Sequence, residues 1–275
     1  LIDLARKYVI NWQINIFTSN IKKQTMEKKT LKVAFSTQKG GAGKTTLTVL
    51  VASYLHYVKG YNVVVVDCDF PQHSIVEMRE RDLKTVMEDQ YYKRMAYEQF
   101  SALGKKAYVI VESSPENAIT DAIEVIDETN PDFVFFDLPG TINNADVVKT
   151  LSWMDYILAP ISADRVVLES TLQYAITIND TLITPGRAAI KGMYLLWNLV
   201  DGREKTELYQ VYEDVIEKLG FPVFKTFLPD SKRFRREQSI NHRALFRSTL
   251  FPVDKNLVKG SNLDKLVEEL LETLK

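Results

Sequence analysis

Cysteine is almost missing: the chain of 275 residues holds one, Cys68. A single thiol makes no internal disulfide, zinc cluster or iron–sulfur cage on its own, which fits a reducing cytoplasm. Net charge is nearly missing too, with 35 basic residues against 36 acidic ones. The chain as a whole is therefore no basic nucleic-acid coat, and any DNA contact has to come from a local patch. No apolar run approaches the roughly 18 residues of a membrane span. Linkers, repeats and low-complexity stretches are absent as well. What is there, 45% hydrophobic and 26% charged residues, is ordinary globular composition and excludes a disordered or collagen-like chain.

The opening residues differ from the rest. Residues 1–25 mix apolar and polar positions irregularly and begin with Leu1. They lack the long apolar core and small-residue cleavage site of a secretory signal. Met26 is followed by Glu-Lys-Lys-Thr and then a strand-like run, so the expectation is a natural start at Met26 after an upstream extension. The rival reading is an amphipathic arm that packs through Trp12, Ile14, Ile16 and Phe17. The expected organisation is an N-terminal extension over 1–30 and a single domain over 31–275.

From residue 31 strand and helix patterns alternate. Strands are expected at 31–37, 62–67, 107–111, 133–137, 156–160, 193–197 and 221–227. The four successive valines after Asn62 suit a strand buried on both faces. Helices are expected at 44–58, 73–103, from Ser114-Pro115-Glu116 to 128, and at 165–181, 205–219 and 263–275. Ser114 before Pro115 has the form of an N-cap followed by proline at the first helical position. The alternation predicts an α/β fold, doubly wound, with a mainly parallel sheet and helices on both faces.

Between the first strand and the first helix stands Ser36-Thr37-Gln38-Lys39-Gly40-Gly41-Ala42-Gly43-Lys44-Thr45-Thr46. Small residues there let backbone N–H groups turn inward on phosphate oxygens, and the helix adds its positive N-terminal end. Lys44 is suited to the β- and γ-phosphates, and Thr45 offers a hydroxyl to Mg²⁺. The ordinary G-x-x-x-x-G-K-[ST] pattern needs glycine at 38, where Gln38 stands. The match is to the deviant form K-G-G-x-G-K-[ST], which opens with a second lysine, Lys39.

This loop resembles the ParA/MinD class of P-loop ATPases with a deviant Walker A sequence. Val66-Asp67-Cys68-Asp69-Phe70-Pro71-Gln72 is similar to the D-x-D-P-Q segment of that class, with Phe70 as an extra residue. Phe133-Val134-Phe135-Phe136-Asp137-Leu138-Pro139-Gly140 resembles its Walker B strand and switch. Weaker likeness continues through Ala159-Pro160, Leu196 to Arg203 and Leu228-Pro229-Asp230. The resemblance implies ATP and Mg²⁺ as cofactors, with Lys39 to Thr46 and Gly140 around the phosphates. Asp137 and Asp67 end strands at the edge where ligands bind in such sheets, and are expected to support the metal. Asp69 is implied to orient or activate the attacking water. Lys39 matches the signature lysine that crosses to the nucleotide of a second subunit, which implies an ATP-dependent homodimer. Asn198 is expected to read the adenine edge, with Pro229 and Asp230 completing the base pocket. Many relatives carry arginine where Asp230 stands.

Within the class, one cysteine excludes the shared iron–sulfur cluster of nitrogenase reductases. The last helix carries a leucine stripe flanked mostly by acidic side chains, whereas a helix that meets anionic lipid should be basic. It is expected to pack in the core, which argues against a MinD-like membrane role. Residues 231–247 carry Lys232, Arg233, Arg235, Arg236, Arg243 and Arg247 against Glu237. Such a patch suits sequence-independent contacts with DNA phosphates. Thirty residues before the first strand are too few for the helix-turn-helix domain of larger partition ATPases. The expected protein is a small ParA-type partition ATPase, cytoplasmic and nucleoid-associated, acting with a ParB-like partner. The alternatives are a MinD-like membrane-positioning ATPase and a nucleotide-dependent regulatory scaffold.

Overall fold

The computed structural model describes residues 29–202 and 207–274. The readings made above for residues 1–28 lie outside them. Six strands form one sheet in the order β3-β2-β4-β1-β5-β6, every neighbouring pair being parallel. They are β1 Leu31–Phe35, β2 Val63–Asp67, β3 Val109–Glu112, β4 Phe133–Asp137, β5 Tyr156–Ile161 and β6 Gly192–Trp197. The helices are α1 Lys44–Tyr57, α2 Ser74–Glu88, α3 Gln90–Leu103, α4 Ala118–Thr129, α5 Ala145–Ser152, α6 Arg165–Ile178, α7 Glu207–Lys218, α8 Lys255–Val258 and α9 Leu263–Thr273.

Side chains alternate across a strand with a period of two, and the two resulting core layers follow that rule. Val33, Phe35, Val63, Val65, Phe133 and Phe135 pack with α1 and α9 on one face. Ala34, Val64, Val66, Val134 and Phe136 pack with α4, α5 and α6 on the other. Both faces are thereby covered, which is why β2 and β4 read as unbroken apolar runs. The chain leaves β1 toward one edge of the sheet and later fills the other edge with β5 and β6. The strand that feeds the glycine-rich loop thus sits where the order reverses, and ligands bind at the carboxyl ends of strands there. The apolar stripe of α9 lies in the core through Leu263, Leu266, Val267 and Leu270, as its acidic flanks led us to expect.

Three expectations need correction. Residues 73–103 form two helices, because Asp89 takes an extended backbone and its carboxylate accepts from the N–H groups of Tyr91 and Tyr92, starting α3 afresh. The helix expected from Ser114 begins at Ala118; Ser114 O instead accepts from Asn117 N and Ala118 N to close a turn. Residues 221–227 form no continuous strand. Leu195 bonds to Pro222 O and Phe224 N beside β6, but Glu269 of α9 accepts from Lys225 N and Thr226 N. Those amides are drawn off the sheet, and only isolated bridges remain at Val223 and Pro229.

The core also buries a histidine, and burial shifts its titration. His56 on α1 lies between Tyr57 and Tyr108, edge-on to both, with Nε2 2.9 Å from Lys106 O. Burial is the main cause that holds its pKa down to about 4; the Lys106 carbonyl opposes the shift. An unfolded histidine titrates near 6.5, so between those values the unfolded chain binds the extra proton. Stability is therefore full above pH 6.5 and falls as pH drops toward 4. Urea unfolding at a series of pH values is expected to show this loss, and His56→Phe is expected to reduce the slope.

Candidate functional site

The glycine-rich loop leaves β1 and enters α1 through Gly43, whose φ is +94°, a left-handed backbone that glycine adopts without strain. A Cβ there would lie 2.5 Å from Asn198 Nδ2. That amide donates to Ala42 O at 2.8 Å. Asn198, just after β6, therefore braces the loop; the sequence suggested a contact with adenine for the same side chain. Gly43→Ala is expected to combine a left-handed penalty of about 1–2 kcal/mol with displacement of Asn198. Nucleotide affinity should fall more than about tenfold while the melting temperature drops only slightly, measured by calorimetry and thermal melts.

Lys44 and Thr45 open α1. Lys44 Nζ donates to Lys39 O at 3.3 Å, so the ammonium lies over the mouth of its own loop. Burial lowers its pKa, and Asp137 and Asp69 pull the other way. Gly140 stands close by: a Cβ on it would come 3.0 Å from Lys44 Nζ and 3.2 Å from Gln38 O. Thr45 Oγ1 donates to Asp137 Oδ2 at 2.7 Å. Asp137 ends β4 in a buried site, and burial is the first cause that pushes its pKa up to about 7. The Thr45 hydrogen bond lowers it, Asp67 and Asp69 raise it, and Lys44 lowers it. Its second oxygen, Oδ1, is buried without a hydrogen-bond partner.

That unpartnered oxygen beside a threonine hydroxyl fits a hard divalent cation. Mg²⁺ prefers oxygen ligands and keeps waters and phosphate oxygens in its shell, so one or two protein groups suffice. No cluster of three or more His, Cys, Asp or Glu side chains able to hold a metal occurs among the described residues. Thr45 and Asp137 are the pair placed to serve.

Asp67 is a different case. It pairs in register with Asp137, but its Oδ2 accepts from Ile75 N at 2.9 Å and Val76 N at 3.0 Å, and its Oδ1 accepts from Asp69 N at 3.4 Å. The carboxylate closes the loop after β2 onto the first turn of α2. In this structure the contacts of the carboxylate are those of a brace; the sequence suggested metal support for the same group. Asp69 is held by its backbone, its carbonyl accepting from Gln72 N and His73 N. Its charge acts on both Lys44 and Asp137. Phe70 beside it is exposed. Lys39 is exposed on the loop. Pro229 bridges Val200, and Asp230, also exposed, donates its N–H to Val200 O.

The basic stretch is divided. Ser231 starts a short 3₁₀ turn over Lys232–Arg235, which buried Phe234 pins by packing edge-on against Phe246. Lys232, Arg235, Arg236 and Arg243 are exposed. Arg233 and Arg247 are not part of that free surface, which corrects the set of six. Arg233 Nη1 donates to Leu257 O and Lys259 O, both at 2.8 Å. Arg247 donates to Thr46 Oγ1 at 2.9 Å and to Glu237. Sequence reading also missed two hydroxyl pairs under the loop, Tyr174 to Ser36 at 2.7 Å and Thr37 with Thr171 at 2.9 Å. Their partners lie more than a hundred residues apart, and no local pattern announces them.

Residues 33–243 match the family described as the CobQ/CobB/MinD/ParA nucleotide binding domain. The sporulation initiation inhibitor protein Soj of Bacillus subtilis is 24% identical over 233 residues, covering 75% of this chain and 87% of Soj. The structure of BB_S35 from Borrelia burgdorferi B31, a protein assigned to plasmid partition and bound to AMPPNP, is 16% identical with a TM-score of 0.56. That match covers 89% of this chain and all of BB_S35. The MinD cell division protein of Aquifex aeolicus is 16% identical with a TM-score of 0.57, over 89% of this chain and 96% of MinD.

Proposed function

The chain belongs to the CobQ/CobB/MinD/ParA nucleotide-binding family and is a ParA-type P-loop ATPase, and on that premise we propose that it is a partition protein. It binds ATP with Mg²⁺, pairs with a second copy, and in that form holds DNA without regard to sequence. A ParB-like partner stimulates hydrolysis and so releases the DNA. On this reading the protein is cytoplasmic and associated with the nucleoid.

The residues divide the work as follows. Lys44 and the loop amides of Gly40 to Thr46 hold the phosphates. Thr45 and Asp137 hold the Mg²⁺, which supplies charge neutralisation at the phosphates. Asp69 aligns a water for attack. Lys39, exposed at the loop, reaches the nucleotide of the second copy, where a cation offsets charge as an arginine finger does.

The observation that carries the DNA reading is the exposed cluster of Lys232, Arg235, Arg236 and Arg243 on a chain of net charge −1. The likeness to Soj and BB_S35 supports it. One patch offers few phosphate contacts, but pairing two patches makes the second contact intramolecular and raises avidity. The likeness to MinD keeps a membrane reading as the rival. Against it stands α9, whose apolar face is in the core.

Cosedimentation with DNA and with anionic vesicles, each with and without a non-hydrolysable ATP analogue, separates the two. DNA should pellet the protein only with the analogue, and binding should weaken steeply with salt because neutralised phosphates release counterions. Arg235→Glu with Arg236→Glu should weaken DNA binding by about a hundredfold or more and leave ATP binding intact. Equal retention by the double variant, or pelleting by vesicles in place of DNA, overturns the reading.

A further inference from the structure

Arg247 comes from a loop two hundred residues beyond the glycine-rich one, yet its guanidinium sits at the first turn of α1. Nη1 donates to Thr46 Oγ1 at 2.9 Å. Nε and Nη2 donate to Glu237 Oε1 at 3.0 and 2.6 Å. The stem of this loop is fixed from both sides. Asp82 of α2, buried, accepts from Ser248 Oγ at 2.8 Å, Thr249 N at 2.7 Å and Thr249 Oγ1 at 2.8 Å. Ser53 of α1 donates to Ser248 O at 2.7 Å. On the other side Phe246 N and Arg247 N both donate to Arg236 O. Two helices that frame the nucleotide site therefore set where this one side chain stands.

A guanidinium costs desolvation when partly covered, and a fold keeps one beside an anion-binding loop where planar, forked donors are useful. Glu237 supplies its charge now. That glutamate also has Arg81 of α2 at 3.6 Å, so it keeps a cation if Arg247 turns away. Along α1, Lys44 and Thr45 serve the terminal phosphates and the metal. Thr46 is the next residue along α1, at the end of a loop whose backbone N–H groups are suited to cradle the inner phosphates while the lysine reaches the outer ones.

We propose that Arg247 is a nucleotide-binding residue: its guanidinium holds the inner phosphate of a nucleoside di- or triphosphate, and Glu237 is its resting counter-ion. This rests on the reading of the loop as the nucleotide site. The inner phosphate is common to ADP and ATP, so Arg247 contributes to binding both, and nothing to the step that breaks the terminal bond. A charge-assisted forked contact of this kind is worth a tenfold to hundredfold change in affinity, in order of magnitude.

The test is calorimetric titration of the full chain with ADP and with a non-hydrolysable ATP analogue, joined to steady-state hydrolysis. Arg247→Ala should weaken both ligands by the same factor, about tenfold or more, raise KM by as much, and leave kcat within about threefold. Arg247→Lys keeps the charge without the fork and should fall between wild type and alanine; it also serves if the alanine variant does not fold. Unchanged affinity for both ligands in a folded variant overturns the proposal, leaving Arg247 as a brace between loops. A loss confined to the ATP analogue overturns it too, since that locates the side chain at the terminal phosphate. If wild type binds neither ligand, it is the reading of the site itself that fails, independently of Arg247.

Discussion

Lys44→Ala is expected to yield a folded protein that neither retains nucleotide nor hydrolyses it. The ammonium is held over the loop mouth, 3.3 Å from Lys39 O. Burial already weakens its hold on its proton, and Asp137 and Asp69 restore part of it. Removing the cation takes away the charge nearest the loop mouth and should cost turnover at least about 10²–10³-fold, the scale set by losing one electrostatic donor from a reacting centre. The fold should survive, because the strand and helix on either side of the loop are anchored by core residues that Lys44 does not touch. Circular dichroism checks the fold, and filter retention of labelled ATP checks the site. Retention at the wild-type level by the folded variant would end the assignment of this loop.

Asp69→Ala separates binding from chemistry. Its carboxylate lies beyond the end of β2, while Asp67 behind it is engaged with the amides of α2. On the proposed assignment, loss of the side chain removes a group that acts on water and none that grips phosphate. Affinity for ATP should stay within a few-fold, and hydrolysis should drop by roughly 10²–10⁴, the range for a positioned general base. A dimer formed with ATP should also last longer, which gel filtration and single-turnover hydrolysis would reveal together. Hydrolysis at the normal rate in Asp69→Ala would show that another group positions the water.

Much of this was legible in the residues alone. The valine and phenylalanine runs of β2 and β4 name buried parallel strands, and the loop between β1 and α1 names a phosphate cradle. What escaped was decided by partners distant in sequence. Asp67 reads as a ligand because a carboxylate ends a strand, and only the fold brings the amides of Ile75 and Val76 onto it. Arg233 and Arg247 look like members of one basic run, but they end on carbonyls of the α8 region and on Thr46. Residues 221–227 have a strand composition, and Glu269 takes two of the amides a strand would need. The break at Asp89 had a local signal, an aspartate able to cap, hidden inside a run of charges that would suit one long helix.

The pairing of β1 also bears on how the molecule comes into being. Leu31 faces Phe133 on one side, and Val33 faces Tyr156 on the other, so the strand that carries the phosphate loop has no neighbour in the sheet within the next hundred residues. Contacts this distant form late and make folding slow. On a ribosome, where chains emerge at about 5–20 residues per second, the loop is exposed for seconds before β4 and β5 arrive to flank it. Asp137 comes with β4, and Asn198 only after β6. The nascent chain thus acquires the carboxylate partner of Thr45 before the asparagine that braces the loop. The loop is braced only once β6 has followed β4 and β5 out of the tunnel.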